Sequence, residues 1–136
     1  MRVVRRMLDA IDNARAGPGT PTDKLRRFAL RLTEVTLANQ AAVAIFFRED
    51  ASIPARQLRR INDLKGEIDD GIAALLAEGV AAGEFSIADT RIAALAIGGM
   101  ISWAYMWYRA PGRLDVAAIA EHMADYTLRI AGARAA

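Results

Sequence analysis

Apolar residues recur along this chain at steps of three and four, with no two-residue alternation of the kind a half-buried strand requires, so the pattern predicts helices alone. Residues 3–16 place Val4, Met7, Leu8 and Ile11 on one face and stop at Gly17-Pro18-Gly19. A second helix opens at Thr20, with Pro21 in its first turn and Asp23 three residues after the cap. Its stripe of Leu25, Phe28, Leu32, Val35, Asn39, Val43 and Phe46 predicts one unbroken helix up to Arg48-Glu49-Asp50 and Pro54. The third, over 54–82, is one-sided. Leu58, Ile61, Leu64, Ile68, Ile72, Leu75 and Leu76 face one way, and Arg56, Arg59, Arg60, Asp63, Glu67 and Asp70 the other. Gly83 suits a left-handed position at its end, with Phe85 folded back on the last turn. Asp89 caps a fourth helix that is apolar all round and stops at Arg109-Ala110-Pro111-Gly112. The fifth starts at Asp115, has Leu114 and Ile119 placed as a hydrophobic staple, and turns Val116, Ile119, Met123, Tyr126 and Ile130 inward. Arg134 and the alanines after Ala131 are expected to fray. The expectation is one all-α domain of five main helices over residues 1–136.

Composition changes this picture mainly by exclusion. The 136 residues include 29 alanines, so much of the 54% hydrophobic content reports helix propensity. There is no cysteine and one histidine, His122, which removes disulfides, thiolate sites and almost every triad or zinc arrangement. Sixteen arginines and two lysines are balanced by 16 acids, leaving a net charge of +2, too little to argue for a nucleic-acid surface. The fourth helix has 17 uncharged residues, Ile92 to Tyr108, or roughly 25 Å against a hydrocarbon core of about 30 Å, and reads as a helix buried in protein, not a membrane span. MRVVRRMLDAIDNAR returns to charge too often for an export signal, and a cytoplasmic protein is expected.

Candidate chemistry is sparse. Asp69 and Asp70 are neighbours about 100 degrees apart on a helix, and both read as solvated charges of the polar sector. Glu34, Glu49, Glu121 and His122 show no spacing that marks a metal or a general acid, and the glycines at 17 and 19 lack a phosphate-loop lysine. No enzyme, metal or cofactor is expected. Polar or aromatic residues inside apolar stripes carry more information. Asn39 is either the wall of a cavity or an amide satisfied by a neighbouring backbone. Trp103 and Trp107, with Met100, Met106 and Arg109, are suitable either as a pocket with a polar mouth or as plain core.

Two joints, in this order and spacing, resemble the C-terminal ligand-binding and dimerisation domain of TetR-family transcriptional regulators. One is Glu78-Gly79-Val80-Ala81-Ala82-Gly83-Glu84-Phe85 followed by Asp89. The other runs from Gly99 to Leu114 through Trp103, Trp107, Arg109 and Pro111. The resemblance covers residues 3–132, and within the family it is nearest to regulators of lipid, fatty-acid or steroid-ring catabolism, several of which sense acyl-CoA thioesters. It implies that residues 1–16 are the helix connecting to a DNA-binding helix-turn-helix unit. No such unit is found within residues 1–136. The expectation is a fragment, a truncated frame or a protein without its own DNA reader, so that DNA would be bound only through a domain this chain does not contain.

A small apolar, lipid-like effector is then implied between the second, third and fourth helices. It would lie against Phe28, Leu32, Val43, Phe46, Met100 and Trp103, be oriented by Asn39, and have Trp107 and Arg109 at the mouth. A homodimer is expected through the last two helices as a four-helix bundle. A helix apolar all round needs cover, Gly98, Gly99 and Ala104 permit close approach, and Ile119, Met123 and Tyr126 supply the fifth helix's share. The alternative is a ligand-free helical dimer that acts as a structural or protein-interaction module.

Overall fold

The computed structural model describes residues 2–47 and 53–134, and among them the chain is helical throughout, with no strand. The elements are α1 (Arg2–Ala16), α2 (Pro21–Ala38), α3 (Gln40–Phe47), α4 (Ala55–Ala81), α5 (Thr90–Trp107) and α6 (Val116–Ile130). Three starts are fixed by side chains that take up free amides. Thr20 and Asp23 form a reciprocal capping box ahead of Pro21, while Asp89 accepts from the Ile92 amide and Asp115 from the Ala118 amide.

The central element is α2, which contacts α1, α3, α4, α5 and α6. Leu25, Phe28, Ala29, Leu32, Thr33, Val35, Thr36 and Leu37 are all buried, so α2 is covered on most of its circumference. At its outer edge Arg26 pairs with Glu121 and Asp125 of α6, and Thr22 donates to Glu84 beyond the end of α4. Val3, Val4, Met7, Ala10, Ile11 and Ala14 turn α1 onto this core.

The expected single helix from Thr20 to the Arg48-Glu49-Asp50 stop is two helices. Asn39 interrupts the stripe at φ −133°, ψ 40°. Its side-chain amide donates to the Val35 carbonyl at 2.8 Å, and its carbonyl oxygen accepts from Arg6 at 3.2 Å. Asparagine competes with the helix ladder in this way, and here the competition wins because Arg6 of α1 holds the side-chain oxygen in place. The next residue, Gln40, donates to the Tyr105 and Tyr108 carbonyls at the end of α5, each at 3.0 Å, and opens α3 there. Arg48, Glu49 and Asp50 lie outside the described residues, as do the last two alanines.

The end of α4 follows the sequence expectation. Gly83 takes φ +75°, and the Glu84 and Phe85 amides both donate to the Gly79 carbonyl, which brings the Phe85 ring over Gly79. The C-terminal segment then seals this corner, with Ser86 N–H bonded to the Ala131 carbonyl and Arg134 N–H to the Glu84 carbonyl. No helix among the described residues is long and apolar enough to cross a membrane.

A β-carbon added at Gly79 would stand 1.9 Å from the Phe85 ring, whereas one added at Gly66 meets nothing within 4 Å. Gly79→Ala should therefore cost about 1–3 kcal/mol through forced repacking. Gly66→Ala, inside the same helix, should gain about 0.5–1 kcal/mol from backbone entropy. Urea unfolding of the two variants checks both signs.

Candidate functional site

The two faces of α5 have different fates. Ala93, Ala94, Ile97, Ile101 and Ala104 turn inward, against α2 and α4. Small residues there let α5 approach α4 closely, yet Gly98 presents no side chain toward Ile72. The gap this leaves is a cavity of about 190 Å³ between α1, α3, α4 and α5. Met7, Phe47, Ile68 and Leu95 give it apolar walls, and Lys65, Asp69 and Ser102 give it polar ones. Exposed Leu95 and Gly99 stand at its outer edge.

Charge in this cavity is unevenly placed. Lys65 stands over the Phe46 and Phe47 rings, 5.7 and 5.3 Å from their centroids. Asp70 is exposed and paired with Arg91 of α5 at 2.9 Å. Asp69, one residue away, is half-buried on the cavity wall, with no hydrogen bond or ion pair among the described residues. Burial holds its carboxyl above the usual carboxylate range, against the opposing pull of Arg91. The expectation that both aspartates are solvated fails for Asp69, because a helix turns 100 degrees per residue and that step carries it from the surface to the α5 side.

The nine residues expected to bind an effector are dispersed, and none lines this cavity. Phe28, Leu32, Val43 and Phe46 are sealed in the core. Phe46 reaches the cavity only through Phe47, edge to face at 4.9 Å. Asn39 spends its amide on the α2–α3 break. Met100 is partly buried. Trp103 and Trp107 are 58% and 49% exposed, which differs from the inward position the stripe suggested for Trp103. Arg109 donates back to the Met106 and Tyr108 carbonyls at the end of α5 and borders a shallow surface groove with Gln40, Tyr105 and Tyr108. Missed by the sequence reading were Met7, Phe47, Lys65, Asp69 and Ser102. The available signal was the polar pair Lys65 and Asp69, one turn apart beside the Ile61, Ile68, Ile72 stripe.

The residues expected at a dimer interface also divide. Ala104 is wholly inside the core, Ile119 and Met123 are nearly so, and Gly98 faces α4. Gly99 and Tyr126 are exposed. Around them runs an uncovered apolar stripe at helical spacing, Ile92, Leu95, Trp103, Met106 and Trp107 on α5, with Tyr126 and Ile130 on the adjoining α6. His122 stacks on Tyr126 with ring centroids 6.4 Å apart. Among the described residues no three acidic or histidine side chains converge to hold a metal.

Comparison with known proteins gives a consistent result. Residues 18–131 match the family model described as Tetracyclin repressor-like, C-terminal domain. A TetR/AcrR-family transcriptional regulator from Thermobifida fusca YX-ER1 is 27% identical with a TM-score of 0.82, over 98% of this chain and 70% of the other. A tetR-family regulatory protein from Rhodococcus RHA1 is 22% identical with a TM-score of 0.89, over the same shares. AibR, solved with isovaleryl coenzyme A and operator DNA, is 19% identical with a TM-score of 0.72, over 91% of this chain and 71% of AibR. Among curated protein sequences none matches significantly.

Asp69 yields a stability test. The folded chain holds the Asp69 proton more tightly than the unfolded chain, so the ionised carboxylate costs stability. That cost is absent below the unfolded pKa of about 3.9, grows as pH rises through the higher folded pKa, and is constant above it. Asp69→Asn should therefore be more stable than the parent at pH 7, with the difference closing as pH falls below about 4. Urea unfolding at stepped pH measures it, and a less stable variant at pH 7 would contradict the account.

Proposed function

The chain belongs to the TetR-like C-terminal domain family, and we propose that it is the effector-sensing and dimerisation part of a cytoplasmic transcriptional regulator. The cavity between α1, α3, α4 and α5 carries the sensing half. It is the proposed seat of a small apolar effector. An enclosed apolar cavity of about 150 Å³ admits benzene, so the cavity here, at about 190 Å³, has room for a short branched or cyclic group. The acyl end of a short acyl-CoA is one such group, and likeness to AibR, which is described with isovaleryl coenzyme A, favours it. Its polar remainder would stay outside, at Leu95 and Gly99.

The uncovered stripe on α5 and α6 supports the dimer. Monomeric soluble proteins rarely leave a contiguous apolar patch of several large side chains in water, and a two-fold axis lets one patch cover its own copy. Leu95 and Gly99 belong to both the cavity edge and the stripe, while Met7 ties the cavity to α1. A ligand that moves these residues would have different contacts in two dimer geometries, which is what effector control of DNA affinity requires of a sensing domain. DNA itself would be read by a helix-turn-helix unit outside these residues. The few titratable groups at the cavity do not form a nucleophile, base and orienting partner, which favours binding over catalysis.

Sedimentation at micromolar concentration should give a dimer, and Trp103→Glu should give a folded monomer. In a thermal-shift series of short acyl-CoA thioesters, free acids and hydrocarbons, a true ligand at a hundredfold its Kd should add about 2.7 kcal/mol. For a domain of this size that is roughly 8 °C. Gly98→Leu, which fills the cavity, should abolish the shift. A monomeric parent protein would refute the dimer, and a series with no shift would refute the effector site.

A further inference from the structure

Resting on the reading of the α1–α3–α4–α5 cavity as the effector site, we infer that this cavity selects a small apolar amine, its ammonium group taken by the Asp69 carboxylate and its hydrocarbon part by Met7, Phe47, Ile68 and Leu95. The wall chemistry points to a cation for three reasons. A half-buried carboxylate is costly in apolar surroundings until it meets a positive or donating partner. Asp69 makes no hydrogen bond or ion pair among the described residues and feels Arg91 and Lys65 only at longer range, whereas Asp70 beside it is paired with Arg91 at 2.9 Å. The charged groups that face Asp69 are Lys65 and Asp70 on its own helix and Arg91 on α5, while α1 and α3 contribute the uncharged Met7 and Phe47 to the same wall. Lys65 is held toward the Phe46 and Phe47 rings, so the cavity keeps an acceptor that its own cation does not occupy.

Shape agrees with charge. A β-carbon added at Gly98 would stand 3.6 Å from the Asp69 Oδ1 atom and 3.5 Å from Ile72, so the missing side chain leaves room directly beside the carboxylate. Ser102, nearly buried on the opposite helix, adds a hydroxyl that accepts a second N–H. A primary ammonium with three donors fits one carboxylate and one hydroxyl.

The test uses an isosteric pair, benzylamine and ethylbenzene, and reads the methyl resonance of Met7, which is fully buried and lines the cavity. Both compounds should shift that resonance in the parent protein, with the Kd of benzylamine at least tenfold lower. An apolar cavity without an ionised acceptor would give the reverse order, since the ammonium loses its hydration on entry. Asp69→Asn should bring the two Kd values within about twofold, and a cooperative urea transition of the variant shows that it keeps its fold. Equal affinity in the parent protein, or a tenfold preference that survives Asp69→Asn, overturns the amine assignment and leaves the cavity as the effector site. If neither compound moves the Met7 resonance, the site reading and the amine assignment fall together.

Discussion

Burial of α2 is the constraint on which the remaining structure depends. Its apolar positions do not form one stripe but cover most of its circumference, so every other helix is placed by the need to hide part of it. Each of Leu25, Phe28 and Leu32 is fully buried, worth about 1.5–3 kcal/mol per side chain. The polar contacts at its edge, Arg26 with Glu121 and Asp125 and Thr22 with Glu84, are part-exposed and add little energy of their own. What they set is the register of α6 and of the α4 end against α2.

Around that centre α5 serves two surfaces at once. Its inward side is built from alanines and isoleucines that close against α2 and α4, and its outward side keeps tryptophans and a leucine in water. Closely packed interiors leave few voids, so the gap beside Gly98 is informative about use as well as packing. Its walls draw on four helices, and two of its residues also belong to the outward stripe. An occupant of the cavity and a second copy of the chain would therefore press on the same turns of α5, which supplies a physical route for coupling them.

The break at Asn39 has the same origin in competition between local and tertiary terms. Helical spacing alone continues straight through it, and the residues on either side favour a helix. The side-chain bond back to Val35, the Arg6 contact and the pull of Gln40 on the end of α5 turn the chain instead. The change of direction carries Phe46 into the core and Phe47 to the cavity wall.

Apart from the break at Asn39, the sequence by itself determined the helices, their caps and the chain turn at Gly79-Gly83-Phe85, because periodicity, capping and left-handed glycines are local effects written over a few residues. It also made the resemblance to the family legible from two joints. Which face of α5 turns inward was not local. Both faces are apolar, and alanines and isoleucines prevailed over Trp103 and Trp107 because α2 and α4 admit close approach and an indole does not fit there. The sequence likewise put Asp69 among solvated charges, since amphipathic pattern divides a helix into two sides and Asp69 sits on the boundary. Only the tertiary arrangement, in which α5 leans over that boundary at Gly98, decided that its carboxylate faces a cavity.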